Sequence, residues 1–502
     1  MANSIIEYFD ATVKKFPNKI SFIDSNKRLT FKELQNEALC VASWLISNKI
    51  HNKPVLIFLD KQVSLVSCFL GVAYSGNFYT PIDTNMPNDR VMSILNSLEP
   101  SVVITDYKHR NKVGCFTSTK VIFIDEILNS NDVDIGMVHK VSKIIIDTDP
   151  LYVLFTSGST GVPKGVIISH RAAIDWIDWI SKKYKFDENT VIGNQAQLYF
   201  DLSIQDVYSP IRNGSTTVLI PNRLYSFPTR VWKILDEENV NTIIWIPSII
   251  SMFANLKVLE HVKQLEIKNV LFCGEVMPTK QLNYWIKQYP KTLFTNLYGP
   301  TECTEACTYY DINRSFSDDE SLPIGKACEN SEALVVDDKN HLIKDPNVIG
   351  ELLIRGCCLS NGYYGDLEKT HASFIQNPLN SAYPELVYKT GDLVYYNENH
   401  ELMYVCRKDY QIKIHGYRVE LGEIEAAVSA ISEVDYNCCL FDNEELILIY
   451  TGEIGENQVK EYLQTKLQEY MIPSKFIKID NMIFNMNGKI DRKALKAKYL
   501  SK

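Results

Sequence analysis

Thr156, Ser157, Gly158, Ser159, Thr160, Gly161 and Lys164 fall within one short loop, Thr-Ser-Gly-Ser-Thr-Gly-Val-Pro-Lys-Gly. Glycines let backbone N–H groups turn toward an anion, hydroxyls donate hydrogen bonds and a lysine adds charge, so the loop has the chemistry of a phosphate cradle. It is not a Walker P-loop, which joins strand to helix and ends in Gly-Lys-Ser/Thr. Here Lys164 is followed by Gly165, and the flanking apolar runs 152–155 and 166–168 both read as strands. Other groups are equally able to do chemistry. Tyr298-Gly-Pro-Thr-Glu302 combines a sharp Gly-Pro turn with a carboxylate, a hard oxygen ligand for a divalent cation. Asp392, in Tyr388-Lys-Thr-Gly-Asp-Leu393, offers two acceptor oxygens. Asp201, in Phe200-Asp-Leu-Ser203, is an acid between aromatic and aliphatic neighbours; it caps a helix or meets a cation, since an unpaired charge there is costly. Lys489, in Asn487-Gly-Lys489, belongs to a basic C-terminal stretch where composition alone makes it a solvated side chain.

The elements that must position these residues follow an alternation of apolar strand-like runs and helical patterns: 54–59 then 63–73, 101–105, 241–247, 269–272 and 293–297. That alternation predicts an α/β fold of layered helices and largely parallel sheets. Near Cys406-Arg-Lys-Asp409 the texture changes to a short α+β module: strand 410–414, a His415-Gly416 turn, helix 421–431, strand 445–450 and helix 456–468. A large N-terminal domain, 1–407, and a small C-terminal domain, 410–502, are therefore expected, with a hinge at Lys408 and Asp409. A chain of 502 residues is too long for one ordinary core. Its 45% apolar and 23% charged composition is that of a globular protein. No apolar run is long enough to span a bilayer and no leader pattern opens the chain, so a cytoplasmic protein without stable membrane insertion is expected. The net charge of −9 argues against a broad nucleic-acid surface. Twelve scattered cysteines without a CxxC pair point to free thiols rather than structural zinc.

Taken together, from Leu29-Thr-Phe-Lys-Glu-Leu34 to Asn487-Gly-Lys-Ile-Asp-Arg492, these motifs resemble the adenylate-forming superfamily of acyl-CoA synthetases, luciferases and peptide-synthetase adenylation domains. The resemblance covers nearly the whole chain. It implies that ATP and a carboxylic acid give an acyl-AMP and pyrophosphate, and that the acyl group then passes to a thiol. By the same resemblance the loop 156–164 holds ATP phosphates, with Thr156 and Lys164 taking part in catalysis. Tyr298 lies against the adenine, Thr301 contacts the α-phosphate, Glu302 holds Mg²⁺, Asp392 binds the ribose hydroxyls, and Asn296, Gly299 and Arg407 join the ATP site. Lys489 is implied to be the mobile catalytic lysine, placed where negative charge accumulates in the transition state. The long motif 411–425 follows the hinge as in the family. Cys406 replaces the glycine that usually precedes the arginine, which leaves the details of the hinge open.

Asp201 discriminates within that superfamily: amino-acid-activating members carry an acid at this position for the substrate's α-ammonium. The implied side-chain pocket is Leu202, Gln205, Trp245, Leu271, Cys273, Leu297, Glu305 and Ala306, with the bulk of Trp245 shrinking it. Phe272-Cys-Gly-Glu275 and Gln411-Ile-Lys-Ile-His-Gly-Tyr417 resemble D-alanine–D-alanyl carrier protein ligases. A small amino acid is thus the expected substrate, D-alanine leading. Gln205 and Glu305 are polar where alanine wants apolar lining; an inward, unpaired Glu305 predicts serine or a short diamino acid, and an outward one is a surface acid. No phosphopantetheine attachment or condensation motif occurs, so a separate phosphopantetheinylated carrier protein is the expected acceptor. Carriers are usually acidic, and from Asn457 onward ten basic residues face four acidic ones. The remaining readings are an acyl-CoA synthetase for another small acid and a nucleotide-binding regulator without catalysis.

Overall fold

The computed structural model describes residues 2–500 except 115, 117–118, 131–132, 159–162, 409–410 and 485–489. The chain divides into two compact units, one of Met1–Thr84, Leu98–Leu154 and Gly165–Lys408, the other of Asn85–Ser97, Phe155–Lys164 and Asp409–Lys502. The second unit thus takes two segments, including the phosphate-cradle loop, from the N-terminal part of the chain.

The first unit holds a nine-stranded sheet whose middle six strands are parallel, from Leu293–Tyr298 through Asn269–Phe272, Thr242–Trp245, Val191–Asn194 and Thr216–Leu219 to Ile20–Ile23. A six-stranded sheet runs from Val121–Phe123 through Val102–Thr105, Pro54–Phe58 and Phe78–Pro81 to Pro150–Thr156 and Lys164–Ser169. The strands at 152–155 and 166–168 are therefore real and adjacent, and the loop joins strand to strand. Short apolar runs separated by amphipathic helices fold this way because parallel strands need a helical crossover. The expectation of largely parallel sheets fails in one region. Ser331–Val336, Gly350–Gly356, Leu386–Tyr396, Phe374–Gln376 and Leu402–Arg407 form a fully antiparallel five-stranded sheet. Its longest strand alternates between buried and partly exposed positions over much of its length, the pattern of an antiparallel sheet with one face on the core.

Two cores flank the nine-stranded sheet. Ile244, Leu271 and Leu297 join the larger cluster, whereas Trp245 and Phe272 join a second one with Trp232, Phe253 and Trp285. Successive strand residues point to opposite faces, which is why neighbours such as Ile244 and Trp245 part company. The helix His170–Lys183 is capped by Ser169 and ties down the N-terminal helix Ile5–Lys15, because the Ile5 N–H donates to His170 Nδ1 at 3.2 Å. Burial lowers the His170 pKa from 6.5 to about 4, so the ring is a neutral acceptor. The unfolded chain binds its proton first. This contact's stability is fully present above pH 6.5 and falls by about 3 kcal/mol as pH drops to 4. His170→Gln is expected to flatten the fall of the melting temperature between pH 7 and pH 5.

The second unit has its own core of Val419, Leu421, Ile424, Leu448 and Leu463. Hairpin Gln411–Ile414/Tyr417–Glu420 turns through His415 and Gly416, both at positive φ, and leads into helix Leu421–Ser429. Strands Val434–Asp442, Glu445–Gly452 and Lys475–Lys478 and helix Glu456–Lys466 complete the α+β module. Arg492, opening the helix Arg492–Tyr499, pairs with Glu425 at 2.6 Å. The described cysteines are all free, and no helix among the described residues is long and apolar enough to cross a membrane.

Candidate active site

The nucleotide-side candidates from three distant motifs meet in the first unit. Strand Leu293–Tyr298 delivers Asn296 and Tyr298; Asn296 Nδ2 donates to Pro323 O at 2.8 Å. The Tyr298 hydroxyl donates to the Asp392 carboxylate, and Arg407 Nη1 donates to Asp392 Oδ1 at 3.2 Å. Antiparallel register puts Asp392 directly opposite Arg407, so an acid and a guanidinium 15 residues apart share one place. Burial, and then the Asp392 charge, hold the Tyr298 phenol protonated well above its ordinary range. A buried carboxylate fixed in this way is suited to a vicinal diol.

After Tyr298 the chain turns through Gly299 and Pro300 into the short helical turn Thr301–Cys303. A Cβ on Gly299 would come within 2.5 Å of both Ala306 Cα and Glu305 O, so only glycine allows the turn to close on itself. Gly299→Ala is expected to lower stability by about 2 kcal/mol or more and to weaken nucleotide binding, read by thermal melting with and without ATP. Glu302 is fully buried, and its Oε1 accepts the Tyr363 hydroxyl at 2.8 Å. One buried carboxylate is the kind of ligand by which Mg²⁺ is held when phosphates and water supply the other oxygens. Glu302 thus fits the role of metal ligand, and Tyr363 would orient it.

In the second unit Ser157 Oγ donates to Arg418 O at 2.7 Å, and the Gly158 N–H donates to Glu423. Glu423 also pairs with Arg90, both nearly fully buried. Burial raises the Glu423 pKa against the pull of Arg90. A carboxyl group therefore sits on one backbone donor of the loop, the N–H of Gly158. Thr156 ends strand Pro150–Thr156, its hydroxyl buried without a partner among the described residues, and Lys164 opens strand Lys164–Ser169. Ser159, Thr160, Gly161, Asp409 and Lys489 lie outside the described residues. Lys408, the last residue of the first unit, pairs with Glu351 at 3.0 Å and Asp338 at 3.3 Å.

On the acid-binding side, Leu202, Leu271, Cys273, Leu297 and Ala306 are buried in one core cluster. Gln205 and Glu305 are buried and close together. Asp201 is partly exposed at the start of the turn Asp201–Ser203, and its Oδ1 accepts the Leu202 N–H at 2.9 Å. Trp245 does not line this group. Its ring packs on Tyr225 and Phe253 in the second core, and its indole N–H donates to Gly193 O at 2.8 Å. Tyr152 and Trp176, both in the larger core, lie near Glu305. Sequence reasoning missed these two, and missed Asp206 and Lys61. Asp206 accepts from Asn194 Nδ2 at 2.6 Å, and burial raises its pKa to about 7. Lys61 donates to the Asn194 and Gln195 carbonyls, and burial lowers its pKa to about 7 against the pull of Asp206. A lysine just past a buried strand was a signal; nothing local marked Trp176.

A loop with a backbone donor on an acid, a buried carboxylate fixed by Tyr298 and Arg407, and the buried acid Glu302 are together compatible with nucleotide chemistry. Residues 9–364 match the AMP-binding enzyme family, and the chain belongs to it. It is an AMP-forming ligase of α/β fold, a large N-terminal part followed by a small α+β one. The chain is 30% identical to a D-alanine–D-alanyl carrier protein ligase of Listeria monocytogenes over 99% of both chains. It is equally 30% identical to a mycosubtilin synthase protein of Bacillus subtilis, over 98% of this chain but only 19% of that protein. Its fold matches the Vibrio cholerae adenylation domain AlmE, crystallised with glycyl-adenosine-5'-phosphate, with a TM-score of 0.85 at 20% identity over 100% of this chain and 98% of that one.

Proposed function

We propose that the protein activates a small amino acid with ATP as an aminoacyl-AMP, releases pyrophosphate, and passes the aminoacyl group to the phosphopantetheine thiol of a separate carrier protein. The observation that carries this reading is Asp201, an acid at the edge of a buried wall that also holds Leu202, Leu271, Leu297 and Ala306, where it can receive the substrate's α-ammonium. In the first step a substrate carboxylate oxygen attacks the α-phosphorus of ATP and pyrophosphate leaves. Asp392, oriented by Tyr298 and Arg407, holds the ribose; the loop 156–164 cradles the phosphates; Lys489 bridges the attacking carboxylate and the α-phosphate. Mg²⁺ on Glu302 would supply charge neutralisation to the phosphates. In the second step the carrier thiolate attacks the acyl carbon and AMP leaves. Reorientation of the C-terminal module about Lys408 and Asp409 lets one cleft serve both steps. D-alanine is the substrate that the name of the Listeria relative suggests. Mass spectrometry of a reaction quenched with ATP and an amino-acid panel tests the first step, and acyl transfer to a carrier against free coenzyme A tests the second. Aminoacyl-AMP followed by carrier loading is expected; an adenylate of only non-amino acids, discharged to coenzyme A, supports the acyl-CoA synthetase reading instead.

A further inference from the structure

The acid-binding side of the first unit holds more buried polar atoms than its own side chains satisfy. Glu305 is 2% exposed, and among the described residues neither of its carboxylate oxygens has a hydrogen-bond partner or an ion pair. Burial, and then the charges of Asp201 and Asp206, push the Glu305 pKa well above the ordinary carboxylate range, against smaller opposing pulls from the neighbouring Trp176 and Gln205, so this carboxyl group ionises only when a cation meets it. The Trp176 N–H, the Tyr152 hydroxyl, Gln205 Oε1 and Asp206 Oδ1 are buried and likewise unpartnered. The backbone adds to the cost: Thr304 and Glu305 both lie in the left-handed region, at φ 52° and 75°, which non-glycine residues rarely adopt. A strained turn that aims a buried carboxyl group among other unpartnered polar atoms is explained by a ligand that meets them.

The ligand's chemistry follows from what is missing. An alanine methyl would leave every one of these atoms unsatisfied. A hydroxyl would donate once and leave the charge unbalanced. An ammonium brings three donors and a positive charge. The nearby cation Lys61 is engaged by the Asn194 and Gln195 carbonyls and by the charge of Asp206. Asp201 and Glu305 lie within electrostatic reach of each other, and Tyr152 within reach of both, so the two acids are separated by a short span. We infer that the substrate is an α-amino acid bearing a second ammonium on a short side chain, paired with Glu305 while its α-ammonium meets Asp201. This inference rests on the amino-acid reading above and replaces D-alanine as its substrate.

The test is pyrophosphate exchange by the full chain with both enantiomers of 2,3-diaminopropionate, 2,4-diaminobutyrate, 2-aminobutyrate, serine and alanine. One of the diamino acids is expected to exceed the near-isosteric 2-aminobutyrate in kcat/KM by about 100-fold, the scale of a buried charge pair. Glu305→Gln, checked for folding by thermal melting, is expected to collapse that ratio. Alanine, serine or 2-aminobutyrate matching or exceeding both diamino acids would overturn the inference and leave amino-acid activation standing. An unchanged ratio in Glu305→Gln would also overturn it. Exchange with no amino acid at all would overturn both readings.

Discussion

Lys489→Ala is expected to cut amino-acid-dependent pyrophosphate exchange by about 100- to 1000-fold while ATP still binds, because a donor aimed at developing charge is worth that much in the transition state and little before it. In the proposed mechanism the nucleotide's ground-state contacts come from elsewhere: from Asp392, held by Tyr298 and Arg407, and from the loop whose Gly158 N–H donates to Glu423. ATP affinity by calorimetry beside single-turnover adenylate formation separates the two effects. A variant that releases pyrophosphate at a near-normal rate removes Lys489 from the mechanism. Loss of ATP affinity and rate in equal measure would make it a binding residue only.

Asp201→Ala is the second large effect. Asp201 is partly exposed, but in the proposed complex the substrate covers it, so its removal leaves the substrate's ammonium against apolar surface at a cost of about 2–3 kcal/mol. The amino-acid KM should rise about 100-fold with a much smaller change in the KM for ATP. Asp201→Asn should fall close to it, since an amide restores shape but not charge. If both variants keep the wild-type amino-acid KM, the acid only fixes the turn through its bond to the Leu202 N–H.

The motifs that carry nucleotide chemistry were legible because each is a short string whose residue types match one task. Their mutual arrangement was not. Asp392 and Arg407 are both visible in the sequence, yet their pairing depends on the register of an antiparallel sheet that the α/β pattern did not reveal. Trp245 shows the converse failure. Strand Thr242–Trp245 is buried on both faces, so its residues carry no polar alternation to say which face meets the site. The structure turns Ile244 one way and Trp245 the other. Glu305 was recognised as out of place, but its orientation could not be read, since it depends on two consecutive left-handed residues and on Gly299 closing against Ala306. Trp176 and Tyr152 read as core residues and are core residues; only their unpartnered polar atoms set them apart. The bonds from Ser157 and Gly158 to Arg418 and Glu423 join positions some 260 residues apart, beyond any local pattern.

The central claim is that this chain recognises its acid by a positive α-amino group. Pyrophosphate exchange with an α-amino acid that the protein accepts, measured beside the same acid lacking only that amino group, tests it most directly. The account predicts vigorous exchange for the first and none above background for the second. Equal exchange for the pair would contradict it and leave an adenylating enzyme with a different acid in its cleft.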